Sequence, residues 1–269
     1  MVNIIVAGAC GRMGGRIINI IAGTEGAELS GAFDHPDNPC IGKDAGEVAG
    51  ADVRGVPVED SVDKVIGKGN VIIDFTFHEA TVRHAEAAAE AGIPIVIGTT
   101  GLSNEQIERL RELSEKIPVV QAPNMSVGVN LLYKLVETAA RTLGDDYDIE
   151  IVEAHHRLKK DAPSGTALQL GRVAAEAVGR TLEKDGVFER NGIIGERTST
   201  EIGIQTVRAG DIVGEHTVMF GGIGERIEIV HKASSRDTFA KGAVRAALWI
   251  VNQEPGFYNM LDVLELNKV

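Results

Sequence analysis

Val2-Asn3-Ile4-Ile5-Val6-Ala7-Gly8-Ala9-Cys10-Gly11-Arg12-Met13-Gly14 is the stretch from which the fold can be read. Val2 to Ala7 is a short apolar run of strand length, and glycines at 8, 11 and 14 follow it at once. Ile17, Ile18, Ile20 and Ile21 then mark a helix, and Ala27 to Phe33 returns to a strand pattern. Glycines in such a turn allow close approach of a pyrophosphate and tight packing of the helix. The spacing G-x-x-G-x-x-G departs from the G-x-G-x-x-G fingerprint and is weak evidence alone. Its position between strand and helix is what the mechanism demands. Asp34 ends the second strand, about 20 residues beyond the loop, where a carboxylate can bind a ribose hydroxyl. The plain alternative is a glycine-rich turn with an incidental Asp. Loop, helix and Asp together favour dinucleotide binding.

Outward from this unit the pattern repeats. Residues 35–55 hold Pro36, Pro39 and several glycines and read as irregular. Val71 to Phe75 is a strand running into Thr76, and Ala-rich His78 to Ala91 a helix stopped by Gly92. Ile93 to Ile97 is a strand ending in Gly98-Thr99-Thr100-Gly101. Ser103-Asn104-Glu105-Gln106 looks like a capping box that opens a helix to about Lys116. Val119 to Ala122 is a further strand, followed by Pro123-Asn124-Met125-Ser126. Strands alternating with helices predict a Rossmann-like, doubly wound parallel sheet in an α/β protein. Ligands of such sheets lie beyond the carboxyl ends of the strands. Gly8–Gly14, Asp34, Thr76, Gly98–Thr100 and Ala122–Met125 all fall at those ends. Any one of them is ordinary turn chemistry; together a cofactor crevice explains them better.

A chain of 269 residues has room for one large or two modest domains. Only 4% of residues are aromatic and 32 are glycine, which suits a core of Val, Ile, Leu and Ala. The net charge of −12 argues against a nucleic-acid partner, so an anionic ligand must find local positive charge. Cys10 and Cys40 form no metal-ligand pattern and no disulfide framework, which fits a reducing cytoplasm. No signal peptide is indicated, and no apolar run reaches the ~18 residues of a membrane span. The expectation is a soluble cytoplasmic protein, without metal, that acts on a small molecule.

Local positive charge is concentrated in Glu153 to Ala167, EAHHRLKKDAPSGTA, with His155 and His156 beside Arg157, Lys159 and Lys160. Ile149 to Val152 looks like a strand leading in, Asp161 to Thr166 a loop, and Ala167 to Val178 a helix. Ser164 is a candidate N-cap, and N–H groups at Gly165 and Thr166 offer an anion site. A run of charge is ordinarily a solvated loop. Here imidazoles and an ammonium able to move protons adjoin a helix start able to hold a carboxylate, and such convergence defines a candidate site. Val127 to Leu143 reads as a helix with Leu131, Leu132, Leu135 and Val136 as its buried stripe. Leu182 to Thr200 is poorly patterned. Ile202–Arg208, Ile212–Phe220 and Arg226–His231 read as strands of an antiparallel meander, and Phe239 to Val251 as a last helix with Leu248, Trp249 and Ile250 in the core.

His155-His156, Lys159 and Asp161 to Thr166 resemble the signature of the 4-hydroxy-tetrahydrodipicolinate reductase (dihydrodipicolinate reductase) family. That family reduces a cyclic pyridine-type dicarboxylate with NAD(P)H on the route to diaminopimelate and lysine. The likeness covers essentially the whole chain, including His231 to Arg236, and is most specific at residues 8–14, 98–101, 122–126 and 153–167. It implies a dinucleotide-binding domain of residues 1–126 plus 237–269, and a substrate-binding and tetramerisation domain of residues 127–236. The second is an α+β domain whose open mixed sheet helps build a homotetramer. Cofactor contacts are implied at Gly8, Ala9, Cys10, Gly11, Arg12, Met13, Asp34, Thr76, Gly98, Thr99, Thr100, Ala122, Pro123, Asn124 and Met125. His155 is implied as the acid/base, with Lys159 as second proton donor, its neutral form favoured by nearby Arg157 and Lys160. His156, Lys160, Ser164, Gly165 and Thr166 would hold the substrate carboxylates. One departure is Phe77, which follows Asp74-Phe75-Thr76 where the family often has a basic or small polar residue, so a phosphate contact is missing there. NADH and NADPH are both expected cofactors, with NADH favoured by Asp34.

Two other readings compete. One is another NAD(P)-dependent dehydrogenase of an amino-acid or semialdehyde substrate. Semialdehyde dehydrogenases of that kind need a nucleophilic cysteine, and neither Cys10 nor Cys40 adjoins the basic stretch. The other is a non-catalytic NAD(H) sensor, which has no use for paired His plus Lys at a helix start.

Overall fold

The computed structural model describes residues 1–268. Its elements, in chain order, begin with β1 (Val2–Ala7), α1 (Arg12–Ala22), β2 (Ala27–Phe33), α2 (Ala45–Val48), β3 (Val58–Glu59), β4 (Val71–Asp74) and α3 (His78–Ala91). Then come β5 (Ile95–Ile97), α4 (Asn104–Ser114), β6 (Pro118–Gln121), α5 (Val127–Leu143), β7 (Asp148–His155), α6 (Gly165–Ala177), α7 (Leu182–Asp185) and β8 (Gly186–Val187). The last are β9 (Ile202–Arg208), β10 (Gly214–Gly221), β11 (Arg226–Ala233), α8 (Asp237–Ile250), β12 (Gly256–Tyr258) and α9 (Met260–Val263). Two compact units emerge: residues 1–127 with the segment from Asp237 onward, and Gly128–Arg236. Val269, the last residue of the returning segment expected from the sequence, lies outside the described residues. Among the described residues no helix is long and apolar enough to cross a membrane.

The first unit is a seven-stranded sheet in the order β12-β6-β5-β4-β1-β2-β3, with every pair parallel. Both faces of its centre are covered, so β1, β4 and β5 are continuous apolar runs rather than alternating ones. Ile4, Val6, Ile73 and Val96 pack on one side with Ile17, Ile21, Val244 and Ile250 of α1 and α8. Ile5, Ile72, Ile95 and Ile97 pack on the other with Ala85 and Ala88 of α3 and Leu110 and Leu113 of α4. The capping box at Ser103 and Gln106 is formed. Four short elements escape a reading by periodicity: β3, β12, α2 and α9. Residues 35–55 are therefore not wholly irregular. The Asp44 side chain accepts from Gly46, Glu47, Arg54 and Val56 N–H groups and folds that segment around itself.

The second unit is a five-stranded mixed sheet in the order β11-β10-β7-β9-β8. The antiparallel meander expected from the sequence does not form. β10 pairs antiparallel with β11, but β7 lies between β10 and β9, antiparallel to the first and parallel to the second. The turn joining β9 to β10 instead crosses the end of β7, where Ala209 N–H donates to His155 O and Arg157 N–H to Gly210 O. One face of this sheet changes character along its length. Ile149 aligns with Ile202 and Phe220, and Ile151 with Ile204 and Val218; the next row is Glu153 with Thr206 and His216. Side chains two apart share a face of a strand, so this polar row extends the core packed against α5 and α6. The buried stripe of α5 is Val129, Leu132, Tyr133, Val136 and Ala140. Leu131 and Leu135, expected in it, are exposed because they lie on the far side of the helix turn. Of the three residues expected in the core of α8, Ile250 is buried and Leu248 and Trp249 are half-buried.

Glycine spacing in the first loop has a steric origin. A Cβ on Gly14 would lie 2.1 Å from Gly8 O and 2.8 Å from Ala9 Cα. Gly14→Ala is therefore expected to destabilise the first unit by about 1–3 kcal/mol, the range of core overpacking. Gly165→Ala, with no atom within 4 Å of the new methyl, should melt with the wild type. Calorimetric unfolding checks both, and an unchanged Gly14→Ala melting temperature would contradict the close helix–loop packing.

Candidate active site

Within the second unit everything converges on Glu153. Its side chain is fully buried, and a buried carboxylate is tolerated only when paired and hydrogen-bonded. The Arg208 guanidinium donates to it through both terminal nitrogens, at 2.8 and 2.9 Å. Ser164 N–H donates at 3.0 Å and Thr206 Oγ1 lies at 3.3 Å. His155 Nδ1 is 2.6 Å from Oε2, the oxygen that Arg208 Nη1 also engages. Burial would raise the Glu153 pKa, but His155, Arg208 and the Ser164 N–H outweigh it and hold it at about 2. Glu153 is thus ionised, and an ionised acceptor makes Nδ1 of His155 the protonated nitrogen. Nε2 is left facing Gly214, where a Cβ would come within 3.1 Å of it.

Ser164 caps α6 as its position suggested, accepting from Ala167 N–H. Its N–H is turned inward to Glu153, and its hydroxyl also meets Nε2 of buried His216 at 3.2 Å. Burial, then the nearby His155, pushes the His216 pKa down to about 4. Its ring stands edge-on to that of His155, centroids 5.3 Å apart. At the same helix start Gly165 is exposed, and Thr166 shares a hydrogen bond with Tyr133, whose pKa burial pushes up to about 12.

His156 adjoins Arg236, with Nε2 3.3 Å from the guanidinium, while its buried Nδ1 has no hydrogen-bond partner. Lys159 was expected among cations only. The structure gives its ammonium the carboxylate of Asp161 at 2.9 Å, because the loop turns back within two residues. Lys160 is exposed. Glu153, Arg208, His216, Gly214 and Arg236 were not singled out from the sequence. Only Glu153 lay in the stretch that was, and its signal there was an acid in a strand pattern next to a histidine.

The first unit carries the cofactor candidates. Gly8 has φ +67°, open to glycine, and a Cβ there would meet the Thr76 methyl at 2.8 Å. Gly11 begins α1 with no side-chain cap, so this helix start keeps donors for an anion. These are the features a pyrophosphate needs, and the residues fit a dinucleotide. Asp34 accepts from Cys10 N–H at 2.9 Å, His35 N–H at 2.8 Å and Asn38 Nδ2 at 3.1 Å. The same bonds draw the 38–40 turn over the glycine loop. Cys10 and Cys40 are joined in a disulfide, their Cα atoms 6.4 Å apart. That corrects the expectation of no disulfide framework, which spacing alone could not test. Gly98 is where the Phe75 ring lies, 2.2 Å from a notional Cβ. Thr76 and Thr99 both contact buried Asp74. Thr100 and Pro123 are exposed, Ala122 and Met125 buried, and Asn124 caps Ser126 N–H at 2.9 Å. Arg12 is exposed and Met13 half-buried. Phe77 is exposed, stacked on His78. Among the described residues no group of three His, Cys, Asp or Glu is placed to hold a metal ion.

Comparison with known proteins gives a consistent result. A family model described as dihydrodipicolinate reductase, N-terminus, matches residues 2–125, and one described as dihydrodipicolinate reductase, C-terminus, matches residues 128–264. The 4-hydroxy-tetrahydrodipicolinate reductase of Syntrophus aciditrophicus is 56% identical over 264 residues, covering 98% of each chain. That of Desulfotalea psychrophila is 57% identical over 266 residues, covering 99% of each. Among solved structures, a dipicolinate-bound dihydrodipicolinate reductase from Paenisporosarcina sp. TG-14 superposes with a TM-score of 0.78 at 25% identity, covering 97% of this chain and 98% of that one. A myo-inositol dehydrogenase from Corynebacterium glutamicum, at TM-score 0.61 and 17% identity, shares the fold.

The two depressed pKa values set the acid stability of this site. His216 is held at about 4 against 6.5, and Glu153 at about 2 against 4.5. In each case the unfolded chain binds the proton more readily, so stability rises with pH. The His216 contribution is complete above about 6.5 and lost as pH falls toward 4; that of Glu153 is complete above about 4.5 and lost toward 2. Each is worth on the order of 3 kcal/mol. Denaturant midpoints should fall in two stages on acidification, and His216→Gln should shrink the upper one to the part contributed by His231, whose pKa burial also lowers. A flat wild-type profile between pH 7 and 4 would refute the burial of a neutral His216.

Proposed function

The chain belongs to the dihydrodipicolinate reductase family, and on that premise we propose how its residues carry the reaction. The enzyme is an NAD(P)H-dependent oxidoreductase that reduces 4-hydroxy-tetrahydrodipicolinate to tetrahydrodipicolinate in the diaminopimelate route to lysine. What supports the residue roles most is the buried Glu153–His155 pair beside the helix start at Ser164.

A bound nicotinamide supplies the hydride. The chain's part is to hold two anions and deliver a proton. Glu153 fixes the His155 ring through Nδ1, which leaves Nε2 as the atom that exchanges a proton with the reduced ring. Lys159, oriented by Asp161, is the second donor. Arg236, whose guanidinium donates to Nε2 of His156, supplies the cation for one carboxylate beside that ring, and the α6 start at Gly165-Thr166 takes the other. Ser164 serves through the shape of the helix start, since its own hydrogen-bonding groups are engaged, and Lys160 adds long-range attraction. The dipicolinate bound in the Paenisporosarcina reductase supports a planar pyridine dicarboxylate as a competitor here.

On the cofactor side, residues 8–13, Thr76, Gly98–Thr100 and Ala122–Met125 line the crevice, with Asp34 at the ribose. A carboxylate there attracts a ribose hydroxyl and repels a 2′-phosphate, so NADH binds at least as well as NADPH. Residues 1–126 plus 237–269 act as the dinucleotide-binding domain, and residues 127–236 bind substrate and build a homotetramer in the cytoplasm. Exposed Val207 and Val230, on the face of the second sheet away from α5 and α6, support an assembly that covers them.

The decisive experiment follows NADH absorbance with substrate generated in situ from pyruvate and aspartate semialdehyde. His155→Ala and Lys159→Ala should each lower turnover by roughly 10²–10⁴-fold while NADH still binds. Near-normal turnover in both would sink the proton-donor assignment. Asp34→Ala should weaken NADH more than NADPH in direct titrations, and the opposite order would remove Asp34 from the ribose.

A further inference from the structure

A second fully buried carboxylate lies in the first unit, on the last residue of β4. Asp74 has no exposed side-chain surface. Its Oδ1 is 2.8 Å from Thr76 N, 2.7 Å from Thr76 Oγ1, 3.1 Å from Thr81 Oγ1 and 3.2 Å from Thr99 Oγ1. Its Oδ2 is 2.6 Å from Nδ1 of His84, on α3. Thr81 and Thr99 also meet each other, at 2.8 Å. The His84 ring stands edge-on to Phe33, centroids 4.9 Å apart, and Phe33 is the residue before Asp34. One carboxylate and one imidazole therefore tie the ends of β2, β4 and β5 together.

Sheet order says what that tie is for. The strands run β5-β4-β1-β2. With a ribose at Asp34 beyond β2 and the pyrophosphate at Gly8–Gly14 beyond β1, a dinucleotide continuing in the same direction reaches the ends of β4 and β5. Thr76 and Thr99 stand at those ends, and the Thr76 methyl rests against Gly8 of the pyrophosphate loop. We propose that Asp74 and His84 are positioning residues that hold the Thr76 and Gly98–Thr100 loops in shape to receive the nicotinamide half of the cofactor. The inference rests on the proposed placement of the dinucleotide. Burial would raise the Asp74 pKa, but His84 and then the Thr76 groups outweigh it and keep the carboxyl below the usual range. A charged acceptor here allows the loops few other conformations, because any loop movement strips it of donors in a buried setting.

Paired variants test this. His84→Leu removes the donor, whereas His84→Asn offers an amide N–H close to the position of Nδ1. Fluorescence titration should give an NADH dissociation constant raised about tenfold or more in His84→Leu, as loosened positioning implies, and largely restored in His84→Asn. The KM for the dicarboxylate at saturating NADH should stay within about twofold of wild type, since its candidate contacts belong to the other unit. A purely structural role would lower the melting temperature of His84→Leu and leave the NADH affinity of the folded protein unchanged, which overturns the proposal. If His84→Leu does not fold, Thr81→Val keeps the shape, removes one contact to Asp74 and one to Thr99, and is held to the same outcome. Failure of the wild type itself to bind NADH would instead overturn the functional reading.

Discussion

An ionised carboxylate with no exposure is the constraint on which the second unit depends. Removing Glu153 from water costs several kcal/mol unless its lone pairs are all engaged. Local sequence supplies only part of that: His155 two residues on, and the Ser164 N–H after the loop. The fixed cation comes from Arg208, at the end of β9. That requirement accounts for a sheet order that strand patterns alone misread. β9 must lie beside β7 in parallel register, Glu153 opposite Thr206 and His155 opposite Arg208. β10 is thereby sent to the other flank, where it brings His216 to Glu153 and Gly214 to the His155 ring. The groups that satisfy the carboxylate are thus the groups that shape the candidate site.

Asp74 meets the same constraint by different means. No Lys or Arg is among its hydrogen-bond partners in the described structure; a histidine and three threonines replace the guanidinium. The choice suits its surroundings. A guanidinium beyond β4 would draw dinucleotide phosphates away from the glycine loop, whereas hydroxyls leave the attraction at the α1 start. In both units the loops of the candidate sites are braced from behind by groups locked in the core, which is how a site is held to the tolerance that chemistry needs.

What the sequence made legible were features complete within a few residues: the glycine turn and its helix, the Ser103 capping box, the Ser164 cap, Asp34 at a strand end. Each rests on local conformation, and each appears where expected. What it hid depends on partner choice across long separations. β7 between β9 and β10 is one case; β12 pairing with β6, though only three residues long, is another. Leu131 and Leu135 misled for a related reason. α5 buries the turn-related set Val129, Leu132, Tyr133 and Val136, and a helix with leucines on both sides does not reveal which side faces the sheet. Asp74 and His84 look like any strand-end acid and any helix histidine until the fold brings them together.

The surroundings of Asp34 refine what its charge can do. A carboxylate offers about four lone-pair sites, and Cys10 N–H, His35 N–H and Asn38 Nδ2 occupy three of them. These donors belong to the loop of Cys10 and the turn after Asp34, so a ligand meets them already in place. A ribose would then find about one open acceptor site rather than two, which trims the hydrogen-bond advantage of NADH. The same three donors lie against the negative charge and partly offset its repulsion of a 2′-phosphate. On the proposed placement of the ribose, both effects would narrow the gap between the cofactors without reversing it, because the carboxylate keeps its charge. With a ribose at Asp34 as proposed, the donors around it would temper the preference for NADH that its charge creates.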